Sequence, residues 1–330
     1  MSKAHKEIVE RTRRVAQDAA VATVWAQWGR LGFLASGGQS QAGDALLDPE
    51  VLLVLTLDAV RWEPRLDQAL DWWAVCGAGL LSLPRIDSVL QEVPVNLERE
   101  LGRFAARVWG AKNASGSWKR RARDAGFKEE PPPARLKGTT SPRLLRPEAV
   151  MLRVRSFSTL GAKADVLSYL IAQREYPSTV ALIAKALGYA ERAIRLAASD
   201  LEAAGLITSQ RKKVARQGRD PIRYVFRSGT LDLGEVPPWR FWPQIAGFIL
   251  GAARWGEKLR ASTPFLLANE ARQLDLRRKD FWIEHALPAR YSIADPVEHP
   301  GPAYLRPFSE TVEAVAEWLA DGLPMGPLPP

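Results

Sequence analysis

The sequence predicts a mainly α-helical protein in which three short helices and a β-hairpin lie between two longer helical regions. Apolar residues recur with a helical period in residues 7–110 and again after residue 242. Between them, glycines separate three short apolar segments, and β-branched and aromatic residues follow a turn near residue 218. We therefore expect a helical N-terminal domain (1–111), a basic linker containing Pro, Gly and Ser (112–150), a central domain (151–230) and a helical C-terminal domain (231–330).

The composition excludes several classes of protein. The 330 residues are 46% apolar and 25% charged, which is typical of a globular chain with two or three domains. Cys76 is the only cysteine, so no internal disulfide can form. The first 14 residues lack the apolar segment of a secretory signal, and the longest apolar runs are much shorter than the roughly 20 residues of a membrane-spanning helix. We expect a cytoplasmic protein with no membrane partner.

Positive charge is concentrated in the middle of the chain. The net charge is +9, and residues 112–230 hold 24 basic against 10 acidic side chains, whereas both flanking regions are slightly acidic. A surplus confined to contiguous residues is typical of a surface that binds a polyanion. The linker is either a solvated tether or a basic arm that adds phosphate contacts.

The N-terminal helices are predicted from their start and stop signals. A first helix runs through residues 9–25 and ends before the glycine-rich residues 36–40. Each of the next two helices is predicted to begin where an acidic residue precedes a proline, at Asp48-Pro49 and at Glu63-Pro64. An acidic side chain is suited to the N-cap position, and proline is suited to the first helical position. Two further helices are expected after Pro84 and after Pro94.

The C-terminal region is predicted to contain three helices. They are expected over Trp242–Leu259, Pro264–Glu284 and Ser309–Leu319, with Ser309 as the N-cap of the last one. Tryptophan is confined to the two flanking regions, with seven residues before position 119, five after position 238 and none in 151–230. Because Trp72 and Trp73 are adjacent, they are not expected to face inward together. We therefore expect one of them to lie in a contact between domains or protomers, which suggests a homodimer or a protein partner.

Residues 163–205 have the spacing of a helix-turn-helix. A first helix is predicted over Lys163–Gln173, and a second begins at Ser178 or Thr179 and ends at Gly188, where a left-handed residue is needed. A third helix starts near residue 190, after a turn of about three residues. Its apolar positions predict an inner face, comprising Ile194, Ala197, Ala198, Leu201 and Ala204.

The other residues of the third helix are expected to point outward, and in DNA-reading helices the first turns contact base edges. We predict Arg192, Arg195 and Ser199 as readers of bases beside Glu191, because an arginine fork pairs with guanine O6 and N7. Lys185 and Ser178 are candidate contacts on the second helix. The following hairpin adds six candidate phosphate contacts against the single acid Asp220, namely Arg211, Lys212, Lys213, Arg216, Arg219 and Arg223.

Residues 163–227 resemble the winged helix-turn-helix domain of bacterial transcriptional regulators. Residues 183–188 (IAKALG) are similar to the second helix and turn of that family, and Ile194, Ala198 and Gly205-Leu206-Ile207 are similar to its recognition helix and wing. The resemblance covers about a fifth of the chain. It implies a winged-helix fold and binding of double-stranded DNA.

No pattern of catalysis or cofactor binding is present in the sequence. His5, His285 and His299 are scattered, Cys76 has no partner at ligand spacing, and neither GxSxG nor GxxxxGK[ST] occurs. We predict a non-enzymatic, dimeric transcriptional regulator without a metal or cofactor. Two alternatives remain open: a nucleic-acid-binding antitoxin or phage-defence component, and an adaptor whose winged helix binds a protein.

Overall fold

The computed structural model is mainly helical, as the sequence predicts. Its described residues form a small three-stranded antiparallel sheet, which contains one strand more than the predicted hairpin. It describes residues 2–33, 45–111, 115–133, 135–136, 141–210, 221–231, 233–257, 263–277 and 297–321. The predicted break at residues 36–40 and five of the predicted hairpin cations, Arg211, Lys212, Lys213, Arg216 and Arg219, lie outside these ranges.

In the described part of the chain, six α-helices lie before residue 125. They are α1 (Lys3–Leu31), α2 (Pro49–Ala59), α3 (Asp67–Cys76), α4 (Leu83–Glu92), α5 (Glu98–Gly110) and α6 (Gly116–Asp124). The Asp48 carboxylate accepts a hydrogen bond from the Val51 amide (3.2 Å), so Asp48 is the predicted N-cap. Glu63-Pro64 opens only a short 3-10 turn, Pro64–Leu66, and α3 follows it directly.

Part of the segment predicted as a linker is a packed helix. Helix α6 lies against α5, and the buried ring of Trp118 is 5.6 Å from that of Phe104. In the basic cluster of α6, Arg121 forms ion pairs with Asp87 and Glu98, and the Arg123 guanidinium stacks on Trp109. These two cations therefore contact the protein itself.

The central unit consists of six elements after α7 (Val150–Phe157). In chain order they are α8 (Ala162–Gln173), β1 (Ser178–Thr179), α9 (Val180–Leu187), α10 (Glu191–Ala203), β2 (Ile207–Gln210) and β3 (Arg223–Phe226). The strand order is β1-β3-β2, and both pairings are antiparallel. The helices and the hairpin strands fall where the sequence predicts them.

Three α-helices follow within the described residues: α11 (Trp242–Trp255), α12 (Pro264–Leu276) and α13 (Leu305–Asp321). Ser309 is not an N-cap, because α13 begins four residues earlier and the Ser309 hydroxyl donates to Glu313 at 3.1 Å. Pro307 permits the earlier start, since amides in the first helical turn have no intrahelical acceptor. Helix α1 packs along both α11 and α13, so contacts join the two ends of the chain, while the predicted domain boundaries stay predictions.

The expectation that Trp72 and Trp73 face different ways is wrong. Both are buried, and each ring packs against Trp28 of α1, at centroid distances of 6.1 and 5.2 Å. Helix α3 has neighbours on more than one side, because α5 also packs on it, so adjacent residues can both be covered. Among the described residues, no helix is long and apolar enough to cross a membrane.

Candidate nucleic-acid interface

The helices α9 and α10 are joined by a short turn whose geometry follows from the local sequence. The Thr179 hydroxyl accepts from the Leu182 amide (3.2 Å) and caps α9, as the sequence predicts for Ser178 or Thr179. Gly188 ends α9 with φ +71°, a left-handed conformation that glycine adopts without strain. Helix α10 then begins at Glu191.

The faces of α10 agree with the predicted assignment except at one residue. Ile194, Ala197, Ala198 and Leu201 are buried, where α10 packs on α8 and α9. Ala204 is exposed, because it lies after the last helical residue, where the chain turns toward β2. The predicted outward side chains are all exposed, namely Glu191, Arg192, Arg195, Leu196 and Ser199.

Ser178 requires a correction. Its side chain is 2% exposed, and its hydroxyl lies 3.4 Å from the Tyr169 hydroxyl in the core of the central unit. Ser178 pairs with Tyr224 of β3, and Tyr169 of α8 lies next to its hydroxyl. A phosphate cannot reach this hydroxyl, and Ser178 is not a surface contact.

Most charged side chains of α10 have partners within the protein. Arg195 pairs with Glu191 on the same helix, Asp200 pairs with Lys163 (2.6 Å), and the Glu202 carboxylate accepts from the Ser209 amide (3.0 Å). Arg192 has no such contact among the described residues. It is therefore the cation of α10 whose full charge is available to a ligand.

Further exposed cations lie close to this face. Lys185 is on α9, and Arg223 opens β3 at the end nearest the hairpin connection. Arg227, which the sequence analysis did not single out, follows β3 directly and is also exposed. Burial raises the pKa of Tyr224, the charge of Glu202 raises it further, and the charge of Arg195 opposes the shift. Helix α10 also contacts strand β2, so the described strands of the hairpin pack next to this helix.

The turn before α10 is fixed to the preceding helices. The Ser88 hydroxyl of α4 donates to the Gly188 carbonyl at 2.7 Å, and Arg85 Nε donates to the Leu187 carbonyl at 3.0 Å. On the other side, the Tyr189 hydroxyl donates to Asp165 of α8 at 2.8 Å. The position of α10 therefore depends on contacts with the N-terminal helices.

Arg85 belongs to a buried network of five charged side chains that the sequence analysis did not predict. Its members are essentially inaccessible to water and lie on α4, α7, α8 and the start of α2: Arg85, Arg155, Asp48, Glu50 and Asp165. We call this set the buried network. Three carboxylates face two guanidinium groups, so it has a formal charge of −1.

Each member of the buried network is held by several hydrogen bonds. Arg155 bonds to both oxygens of Asp165 (2.8 and 2.9 Å) and to both of Glu50 (2.6 and 3.1 Å), and Arg85 bonds to Asp48 and Glu50. Burial alone would raise the pKa of Glu50, but the charges of Arg155 and Arg85 outweigh it and hold that pKa below its ordinary value. Glu50 is therefore ionised at neutral pH, and the buried network joins α2 to the central unit.

No family model, curated protein or solved structure matches the chain. Among the described residues, no group of three or more His, Cys, Asp or Glu side chains could hold a metal ion.

Proposed function

We propose that this chain is a DNA-binding protein whose central unit is a winged helix. Helix α10 would be the recognition helix, and β2, β3 and their connection would be the wing. The single observation that carries the proposal is the arrangement of this unit. Helix α8, strand β1, helices α9 and α10, and the β2–β3 hairpin follow in that order, with β3 in the middle of the sheet and the first turns of α10 exposed.

The roles of the individual cations follow from their partners. Arg192 is exposed and unpaired among the described residues, so it is our first candidate for contact with a base edge. Arg195 must give up its ion pair with Glu191 before it can contact a nucleic-acid acceptor. The loss of that pair lowers the net contribution of Arg195 to the free energy of binding. Lys185 and Arg223 are candidates for phosphate contacts, which position the protein without reading sequence.

We further propose that the protein acts as a transcriptional regulator and binds as a homodimer. Two-fold symmetric binding presents two recognition helices to half-sites about one helical turn apart. A regulator of this kind requires a preferred DNA sequence, so the test has to separate specific from non-specific affinity.

Fluorescence anisotropy with a labelled random duplex at several salt concentrations tests DNA binding. We expect the affinity to fall steeply as salt rises, with a log–log slope of about −0.9 for each neutralised phosphate. The double variant Arg192→Ala/Arg195→Ala should weaken binding by about tenfold or more. Arg14→Ala is the matched control, since Arg14 is an exposed arginine on α1, which packs along α11 and α13. Absence of binding at low salt overturns the proposal.

A selection from a random duplex library then tests the regulatory role. We expect an enriched site, and Arg192→Ala should relax the preference at one or two positions while leaving the rest of the site unchanged. If binding persists without any enriched sequence, the regulatory role is wrong and an architectural one replaces it.

One observation favours a second candidate, in which the central unit binds a protein. Helix α10 carries three acidic and two basic residues, and Leu196 is 61% exposed on its outer face. An exposed apolar side chain among mixed charges suits a protein surface better than a phosphate backbone. Leu196→Ser separates the two, because it removes the exposed apolar side chain without adding a charge. It should abolish docking of a protein partner and leave the affinity for DNA nearly unchanged.

A further inference from the structure

A cavity opens between the N-terminal helices and the central unit. Its volume is about 770 Å³, within the range of about 300–1,000 Å³ that is typical of small-molecule sites. Buried apolar side chains form its floor, and they include Ala78, Val108 and Trp118. Val75 and Leu160 stand at its rim and are 39% and 43% exposed. The cavity therefore keeps apolar surface in contact with water, and a ligand would cover it.

The two walls of the cavity belong to different parts of the protein. One wall comes from the connection between α3 and α4 and from α5 and α6. The other comes from Leu160 and Gly161, which precede α8, and from Tyr189, which lies two residues before α10. A ligand in this cavity contacts both sides of the junction that positions α10.

The lining groups determine the class of ligand. Asp87 is the only charged residue among the described lining residues, and its charge is neutralised by Arg121. Burial raises the pKa of the Cys76 thiol to about 12, so this group is uncharged at neutral pH. The hydroxyls of Ser115 and Ser117, 2.8 Å apart, supply hydrogen-bonding groups at one side. These features suit an uncharged, mostly apolar molecule with one polar group.

We propose that this cavity binds an uncharged aromatic or alicyclic small molecule and that its occupancy controls DNA binding through Tyr189. The Tyr189 side chain lines the cavity, and its hydroxyl donates to Asp165 of the buried network. A ligand that packs against Tyr189 stabilises one position of the turn before α10 and so changes the population of the DNA-binding arrangement. The regulatory part rests on the proposed function, whereas the binding site does not.

A neutral fluorescent amine, 1-aminoanthracene, is the probe, and two matched glycine variants locate its site. Gly79 lines the cavity, and a Cβ added there meets no atom within 4 Å, so Gly79→Leu adds apolar volume at the cavity lining from a position with open space. Gly29 on α1 is also exposed with open space at its Cβ but lies outside the cavity, so Gly29→Leu is the control. Val75→Trp fills the cavity from its rim and replaces Gly79→Leu if that variant does not fold.

We expect saturable binding of one probe molecule per chain to the wild-type protein and to Gly29→Leu. In Gly79→Leu the affinity should fall by about tenfold or more, because the leucine occupies the space of the ligand. No saturable binding, or equal affinity in the two variants, overturns the site. DNA affinity is then measured with and without saturating probe, and an unchanged value overturns the regulatory part. If the protein does not bind duplex DNA at all, the proposed function is wrong. The probe titration still shows whether the cavity is a binding site.

Discussion

The two arginines of the buried network and the two on the outer face of α10 have opposite surroundings. Arg85 and Arg155 are buried and bonded to carboxylates on other helices. Arg192 and Arg195 are exposed on one helix, and only Arg195 has a partner there. Removing a guanidinium from water has a free-energy cost of several kcal/mol, which the buried pair recovers only through its carboxylates. The exposed pair stays hydrated and can exchange its contacts for those of a ligand.

This difference shows that charge in the sequence does not by itself indicate a binding surface. Residues 112–230 carry the positive surplus, yet Arg155, Arg121 and Arg123 within them contact the protein itself. The cations that remain available are fewer, and they include Arg192 and Arg223. The comparison therefore predicts that changes in the buried network affect folding, whereas changes on α10 affect binding alone.

The largest expected effect is that of Arg155→Ala. It leaves Glu50 and Asp165 buried beside a single remaining arginine, so we expect a loss of about 3–5 kcal/mol in the free energy of unfolding. Urea denaturation followed by circular dichroism measures it. Arg306→Ala is the control, because that side chain is 80% exposed and its ion pair with Glu310 contributes about 0–1 kcal/mol. Equal losses in the two variants would show that the network does not hold the helices together.

The second prediction concerns the pH dependence of the same network. The pKa of Glu50 is lowered in the folded protein, so its ionised form contributes stability above the unfolded value of about 4.5, and this is lost as pH falls through the folded pKa. The stability gap between the wild type and Glu50→Gln should therefore be largest at neutral pH and narrow in acid. In Glu310→Gln, whose carboxylate is exposed, the gap should stay near zero. A gap for Glu50→Gln that does not change with pH contradicts the prediction.

The sequence could predict α10 and its faces because both depend on local signals. These signals all lie within about 25 residues of one another: the Thr179 cap, the left-handed Gly188 and the helical spacing of Ile194, Ala198 and Leu201. The buried network could not be predicted in this way. Its members are separated by up to 117 positions along the chain, and Asp48 could be assigned only its local role as an N-cap. The signal that was available is the occurrence of charged residues inside apolar helical segments, such as Arg155 in VMLRVRSF.

Adjacent tryptophans show a second limit of prediction from one helix. The period of α3 separates residues 72 and 73 by about 100°, so a single covered face holds only one of them. The position of Trp28 on α1 decides that both are buried, and nothing near residue 72 in the sequence specifies that neighbour. Burial on several sides depends on the tertiary arrangement, whereas the existence of a helix depends on its own residues.

A smaller effect is expected where the buried and exposed regions meet, at Gly188. A Cβ there would lie 2.5 Å from the Ser88 hydroxyl oxygen, and φ is +71°. We expect Gly188→Ala to lower the stability by about 2–3 kcal/mol, from left-handed strain together with displacement of the turn. Gly205→Ala is the matched control, since φ is also +71° but the nearest atom lies 4.0 Å away, and it should lose only about 1 kcal/mol. Similar losses in both would mean that Ser88 does not fix the turn.

The smallest expected effect on stability is that of Arg223→Ala. This variant tests the prediction that exposed cations affect binding and not folding. The side chain is exposed and has no ion pair among the described residues, so the free energy of unfolding should change by less than about 0.5 kcal/mol. If Arg223 contacts a phosphate, the log–log slope of affinity against salt should be smaller in magnitude by about 0.9 in Arg223→Ala than in the wild type. The decrease should be equal for specific and random sequences. A slope that stays unchanged removes Arg223 from the interface. A reduced slope together with an unchanged sequence preference identifies Arg223 as a residue that contacts a phosphate and does not read bases.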